Sequence, residues 1–183
     1  VPVDKASLRI VMRALGPVPG GVGDAIGARL FPFLSARLPA TISAFIAMEG
    51  EVDLRPLMAR LPGWRWVLPR VEPDRSLTFR DAAVPREKHP FGMEQPVDSG
   101  PVIPIHEIDV FLVPGLAFDL RGGRLGNGAG HYDRVLAAAR SDAVSIGICA
   151  PGHLVESVPT DKGDLPVDYI ATEEGVIPRS PKT

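Results

Sequence analysis

Three glycines at alternate positions, Gly126, Gly128 and Gly130, lie in the run Leu120-Arg121-Gly122-Gly123-Arg124-Leu125-Gly126-Asn127-Gly128-Ala129-Gly130-His131-Tyr132-Asp133. Without Cβ atoms such a loop bends tightly and brings several backbone N–H donors to one anion, and a helix beginning after it adds its positive N-terminal end. Phosphate is the natural guest. Arg124 adds a planar cationic fork suited to phosphate oxygens. The spacing is neither the G-x-G-x-x-G of dinucleotide folds nor the Gly-Lys-Ser/Thr of a Walker A loop, so neither standard nucleotide fold is indicated. On residue types alone, a purely structural turn stays equally open. Lys5 and Arg9, four apart, share one helix face and form a second basic feature.

The elements that must position these residues follow from hydrophobic period. Leu8, Val11, Met12 and Leu15 recur at helical spacing, the segment 16–21 breaks the pattern with glycine and proline, and Ile26, Leu30, Leu34 and Leu38 resume it. Two helices are expected to open the chain. Residues 41–48 form an apolar run of strand length, with Asp53 as candidate N-cap of a helix ending at Pro62-Gly63. Residues 64–69 and 76–80 read as short strands, and 81–104, rich in proline, glycine and charge, as a long surface excursion. Residues 109–114 suit a central parallel strand buried on both faces. The glycine loop follows, then a helix over 132–140 packing Val135, Leu136 and Ala139 inward, a buried strand over 143–150 and a short last strand over 169–172. Strand and helix alternate without internal repeat, which predicts an α/β fold: a three-layer α/β/α domain with a mostly parallel sheet.

A chain of 183 residues, 45% hydrophobic and 23% charged, fits one domain over residues 1–183. A net charge of −2 with interspersed signs gives no field that would favour nucleic acid, so a small-molecule partner is expected. No window approaches a membrane span, and Val1-Pro2-Val3-Asp4-Lys5 lacks the basic-then-apolar signal pattern, so a soluble cytoplasmic protein is expected. The single cysteine, Cys149, reads as core filler with no clustered ligands for zinc.

Val113-Pro114-Gly115-Leu116-Ala117-Phe118-Asp119, continuing through Arg124-Leu125-Gly126, Gly128, Gly130 and Tyr132-Asp133, resembles the signature of the 5-formyltetrahydrofolate cyclo-ligase family. The resemblance extends to Lys5-Ala6-Ser7-Leu8-Arg9, Met48-Glu49-Gly50-Glu51-Val52-Asp53 and Pro90-Phe91-Gly92-Met93-Glu94-Gln95-Pro96, and onward to Pro159 and Asp164-Leu165-Pro166-Val167-Asp168. The blocks follow the family's order over nearly the whole chain.

The resemblance implies a sugar-isomerase/CoA-transferase-like fold and conversion of 5-formyltetrahydrofolate to 5,10-methenyltetrahydrofolate, with ATP as co-substrate and Mg2+ as cofactor. It implies that Lys5, Arg9, Arg124, Gly126, Gly128, Gly130 and Tyr132 bind ATP, with Arg124 and Lys5 as the catalytic cations. Ile46, Glu51, Asn127, Gly128, Ala129, Gly130 and His131 would hold the folate, and Asp133 with Asp164 would position the magnesium. Phe91 and Met93 offer apolar surface for the folate rings. Solvated faces, a first-turn charge at Asp133 and a turn role for Asp164 are the plainer readings of the same residues. Asn127, Ala129 and His131 occupy variable places of the family's loop, and Gly163 stands where many relatives carry a histidine. A monomer is expected. The alternatives carried alongside are a catalytically inactive nucleotide- or folate-binding module and another enzyme of the same fold.

Overall fold

The computed structural model describes residues 4–90 and 92–181. Phe91 and the opening Val1, Pro2 and Val3 lie outside the described residues. The chain runs α1 (Lys5–Ala14), α2 (Val22–Ser35), β1 (Thr41–Ser43), α3 (Arg55–Arg60), β2 (Arg65–Val71), β3 (Leu77–Asp81), β4 (Arg86–Lys88), β5 (Glu94–Pro96), β6 (Val102–Ile103), β7 (Val110–Pro114), β8 (Ala117–Phe118), β9 (Arg124–Leu125), α4 (His131–Ala138), β10 (Val144–Ile148), β11 (Tyr169–Ala171) and β12 (Val176–Pro178).

Eight strands form one mixed sheet in the order β12-β11-β10-β7-β1-β2-β3-β6. The five from β11 to β2 are mutually parallel, and antiparallel strands close both edges. The expected buried run is β7, central and inaccessible from both sides through Phe111, Leu112 and Val113. Alternate residues of each strand serve opposite faces. Ile42, Leu68, Leu112 and Ile146 share one core with Ile26, Leu30 and Leu34 of α2 and Leu57 of α3. Val67, Phe111 and Val113 share the other with Tyr132 and Val135 of α4. Each fully buried aliphatic of α2 contributes roughly 1.5–3 kcal/mol over its exposed state.

Several expectations are refined. The ladder of β1 stops at Ser43 rather than Met48; Ala44 still donates to Val67 O at 3.0 Å, and the chain then leaves the sheet. Asp53 meets the first turn of α3 by accepting from Arg55 N at 3.0 Å, although the capping position itself falls to Leu54. Val11 and Leu15 of the first periodic set are exposed, because α1 buries only Leu8 and Met12 in a small cluster with Ala117, Leu125 and Val158. Leu38 lies beyond the end of α2 and is exposed. The excursion 81–104 contains the β4–β5 hairpin and β6, and β12 follows the strand expected to be last.

Candidate active site

Where the parallel strands end, the backbone must turn over the sheet, and ligands gather at such carboxyl ends. Pro114 at the end of β7 and Gly115 after it, Ala150 after β10, Phe45 and Ile46 after β1 and Val71 of β2 line one cleft of about 1390 Å³. The helix α1, the glycine loop and the β5 residues Glu94 and Gln95 complete its walls. Every residue expected to bind ATP, folate or metal lines this cleft, as does Met93.

The glycine loop is held from below. The ribbon β8–β9 pairs Phe118 with Arg124, and the Phe118 ring lies over β10 where a Cβ on Gly147 would approach it to 2.3 Å. The Asp119 carboxylate, almost inaccessible, accepts from Arg121 N at 2.9 Å, Gly123 N at 3.0 Å and Val158 N at 2.8 Å. It ties the loop's root to the strand-end segment opposite. Further along, Gly128 and Gly130 take left-handed φ values of 111° and 65°, which L side chains adopt only with strain. Gly130 caps α4 without any side-chain bond, leaving the helix's first N–H groups open to a ligand.

Arg124 Nη2 donates to Asp133 Oδ2 at 3.0 Å, and Asp133 Oδ1 accepts from Leu165 N at 3.3 Å. Lys5 Nζ pairs with Asp161 at 2.7 Å and also with Asp164, whose Oδ2 accepts from Asp161 N at 2.6 Å. Burial opposes the Lys5 charge, but the hydrogen bonds it donates to Asp161 and Asp164, with their charges, outweigh it and raise its pKa. Burial would likewise raise the Asp164 carboxyl, yet Lys5, the Asp161 backbone and the nearby Arg124 charge hold it below the ordinary value. Tyr132, with its guanidinium neighbour Arg124 at 5.8 Å from the ring, is driven far above the usual phenol range first by burial, so it stays neutral. Its hydroxyl is buried without a partner, as is Arg124 Nε, so two unsatisfied polar atoms belong to residues that line the cleft.

The folate-assigned residues sit at the same cleft. Glu51 closes a turn by accepting from Met48 N at 2.9 Å through Oε2, and it is near enough to Tyr132 to act on its titration. Among the described residues no group of three or more His, Cys, Asp or Glu could hold a metal. Two carboxylates with phosphate and water oxygens suit magnesium, which takes few protein ligands. Asp133 and Asp164 supply hard oxygens around Arg124, and Asp164 Oδ1 has no protein partner among the described residues. The donor set therefore fits the ion.

The sequence profile of the 5-formyltetrahydrofolate cyclo-ligase family matches residues 23–173. The chain belongs to this family. Its reaction is that of a 5-formyltetrahydrofolate cyclo-ligase, from 5-formyltetrahydrofolate to 5,10-methenyltetrahydrofolate. The cyclo-ligase of Escherichia coli K12 is 29% identical over 163 residues, covering 85% of this chain and 90% of the relative. The 5,10-methenyltetrahydrofolate synthetase structure from Aquifex aeolicus superposes with a TM-score of 0.81 at 27% identity, covering 98% of this chain and 95% of that one. A synthetase structure from Mycoplasma pneumoniae shares the fold, with a TM-score of 0.77 at 24% identity over 94% of this chain and all 100% of that one.

Against this cyclo-ligase frame, three cleft residues escaped the sequence reading. Asp161 shares Lys5 with Asp164, a contact across 156 residues that no periodicity announces. His153 donates from Nδ1 to Leu116 O at 2.8 Å and lines the cleft. Arg13 meets Asn127 Oδ1 at 3.3 Å; its signal was present, since it continues the four-residue spacing of Lys5 and Arg9.

Proposed function

We propose that the chain drives cyclo-ligation with ATP, by phosphorylating the formyl oxygen of 5-formyltetrahydrofolate. A formyl group on nitrogen is an amide, whose resonance strengthens the C–N bond and dulls the carbonyl carbon. The formyl oxygen attacks the γ-phosphorus, ADP leaves, and the nitrogen lone pair forms an iminium whose carbon is electrophilic. The folate's own 10-nitrogen adds to that carbon and loses its proton. Phosphate then departs, leaving the methenyl cation. Atoms balance without a protein nucleophile.

The residues serve positioning and charge compensation. Arg124 and Lys5 face the transferring phosphoryl group, Arg9 and the N–H groups of Gly126, Gly128 and Gly130 cradle the phosphate chain, and Tyr132 lies beside the nucleotide. Glu51 accepts hydrogen bonds from the amino-pyrimidine edge of the pterin. Ile46, Met93, Asn127, Ala129 and His131 border the folate, with His131 as a ring contact rather than a proton carrier. Asp133 and Asp164 would hold Mg2+, whose positive charge would offset that of the phosphates. The wider reading is a single domain over residues 1–183, of three-layer sugar-isomerase/CoA-transferase-like type, acting as a cytoplasmic monomer.

The observation that carries this reading is the convergence of Lys5 and Arg124 with Asp133 and Asp164 beside an unpartnered Tyr132 hydroxyl and an open helix N-terminus. The test is methenyl formation, followed by absorbance, from 5-formyltetrahydrofolate and Mg-ATP. Product is expected only when nucleotide and metal are both present. Formation at an undiminished rate without ATP would refute the mechanism, and folate binding without product would favour the inactive binding module.

A further inference from the structure

Lys5, Arg9 and Arg13 follow one another every four residues and leave α1 on one face, spaced ~6 Å apart along its axis. Their partners differ. Lys5 is neutralised by Asp161 and Asp164. Arg9 Nε donates to Gly126 O at 2.9 Å, and Arg13 Nη2 to the Asn127 side chain at 3.3 Å. Neither arginine has a carboxylate partner among the described residues, although seven acidic residues line the same cleft. Arg13 and Asn127 are both exposed, so this charge stands over a neutral amide at the cleft's rim.

The cyclo-ligase substrate brings an anion of its own to such a place. It is elongated: a pterin head and aminobenzoyl ring lead to a glutamate whose carboxylates are charged at neutral pH. The flat head needs apolar wall, which the buried Phe45 and Ile148 supply within the cleft. The glutamate needs water and a cation, which the rim supplies. The triphosphate is the competing claimant for Arg13, but it is drawn along α1 to Arg9 and Lys5, ~6 and ~12 Å away, towards Arg124 and the carboxylates that would share its cation.

We propose that Arg13, steadied by Asn127, is the subsite for the glutamyl carboxylates of the folate, an inference that rests on the cyclo-ligase reading. A guanidinium offers a carboxylate two parallel donors, so the contact selects glutamylated folates over tail-less analogues. Being exposed, it is screened by salt.

The experiment measures Michaelis constants of the wild type, Arg13→Gln and Arg13→Lys for 5-formyltetrahydrofolate, its triglutamate and the methylamide of 5-formyltetrahydropteroate, a tail-less substrate without any carboxylate, together with that for Mg-ATP. Arg13→Gln is expected to raise KM for both glutamylated substrates roughly fivefold, with the gap narrowing as salt rises, and Arg13→Lys to restore part of it. With the tail-less substrate all three proteins should share one kcat/KM, because the recognised group is missing. An equal loss with the tail-less substrate, a rise confined to Mg-ATP, or no change at all overturns the proposal. Should Arg13→Gln melt early, Arg13→Lys carries the comparison through a smaller rise confined to glutamylated substrates. A wild-type protein that forms no methenyl folate overturns the cyclo-ligase reading itself, whereas an active wild type with an indifferent Arg13→Gln overturns this inference alone.

Discussion

Arg124 and Asp133 face each other across 3.0 Å, one delivered by the β8–β9 ribbon and the other by the first turn of α4. The pair ties the β8–β9 ribbon to the head of α4, with the arginine side chain only 6% exposed. Removing the guanidinium would strand a half-buried carboxylate and confuse stability with catalysis. Arg124→Lys keeps the charge and discards the planar fork. If Arg124 steadies the phosphoryl group in transfer, turnover at saturating ATP and folate should fall about 10- to 100-fold, with kcat/KM falling in parallel and the melting temperature nearly constant. Wild-type turnover together with wild-type ATP affinity would remove Arg124 from the chemistry.

Glu51 accepts one hydrogen bond from its own turn, at Met48 N, and a glutamine there can keep that acceptor while losing the charge. Glu51→Gln should therefore weaken folate binding while leaving ATP binding intact. Hydrogen bonds to charged groups contribute roughly 1.5–3 kcal/mol, which corresponds to a loss of about tenfold to a hundredfold. Titration calorimetry with each ligand separately is the check, and equal folate affinity in the two proteins would take Glu51 out of the pterin site.

Asp164 is paired with Lys5, so a magnesium ion held there would compete with the lysine for it. Asp164→Asn should raise the magnesium concentration for half-maximal rate by about tenfold, since each lost charged ligand weakens a hard-ion site. Asp161→Asn, on a side chain 78% exposed, should shift it far less. Identical magnesium curves for Asp164→Asn and wild type would leave Asp164 as a partner of Lys5 alone.

What the sequence disclosed and what it hid divide along the range of the contacts. Local patterns survive folding: the apolar run of β7, the glycines of the loop and the four-residue spacing of Lys5 and Arg9 all emerge as read. The opposite wall of the cleft is assembled by tertiary closure. Lys5 meets Asp161 and Asp164, and Arg13 meets Asn127, across more than a hundred residues in each case. Nothing in a period of two or 3.6 encodes such pairs. Helical spacing does not guarantee burial where a helix has little to pack against: Val11 and Leu15 keep the spacing but stay exposed, because Leu8 and Met12 meet only Ala117, Leu125 and Val158 in their buried cluster. The β4–β5 hairpin was hidden because its strands are short and polar, and it is pinned instead by Arg70, which donates to Glu87 and to Pro96 O.

His131 begins α4 just after the last glycine of the loop, and its surroundings disfavour its charge. Burial lowers its pKa from the ordinary 6.5 and the Arg134 charge lowers it further, with the Arg75 backbone opposing only in part. The helix N-terminus, positive in the same place, acts in the same direction. The folded protein therefore binds fewer protons at this site than the unfolded chain between the ordinary value and the depressed one. Stability is positive in slope with pH over that window: the contribution is complete above about pH 6.5 and is lost as pH falls towards the folded value. His131→Asn, which cannot titrate, should flatten this part of the profile. Urea midpoints measured at several pH values from neutrality downward, for wild type and variant, isolate the site from the other three histidines of the chain. Converging stabilities as the pH is lowered are the expected result. Parallel curves would mean that His131 titrates alike in the folded and unfolded chain, and that its ring is hydrated rather than shielded by the loop.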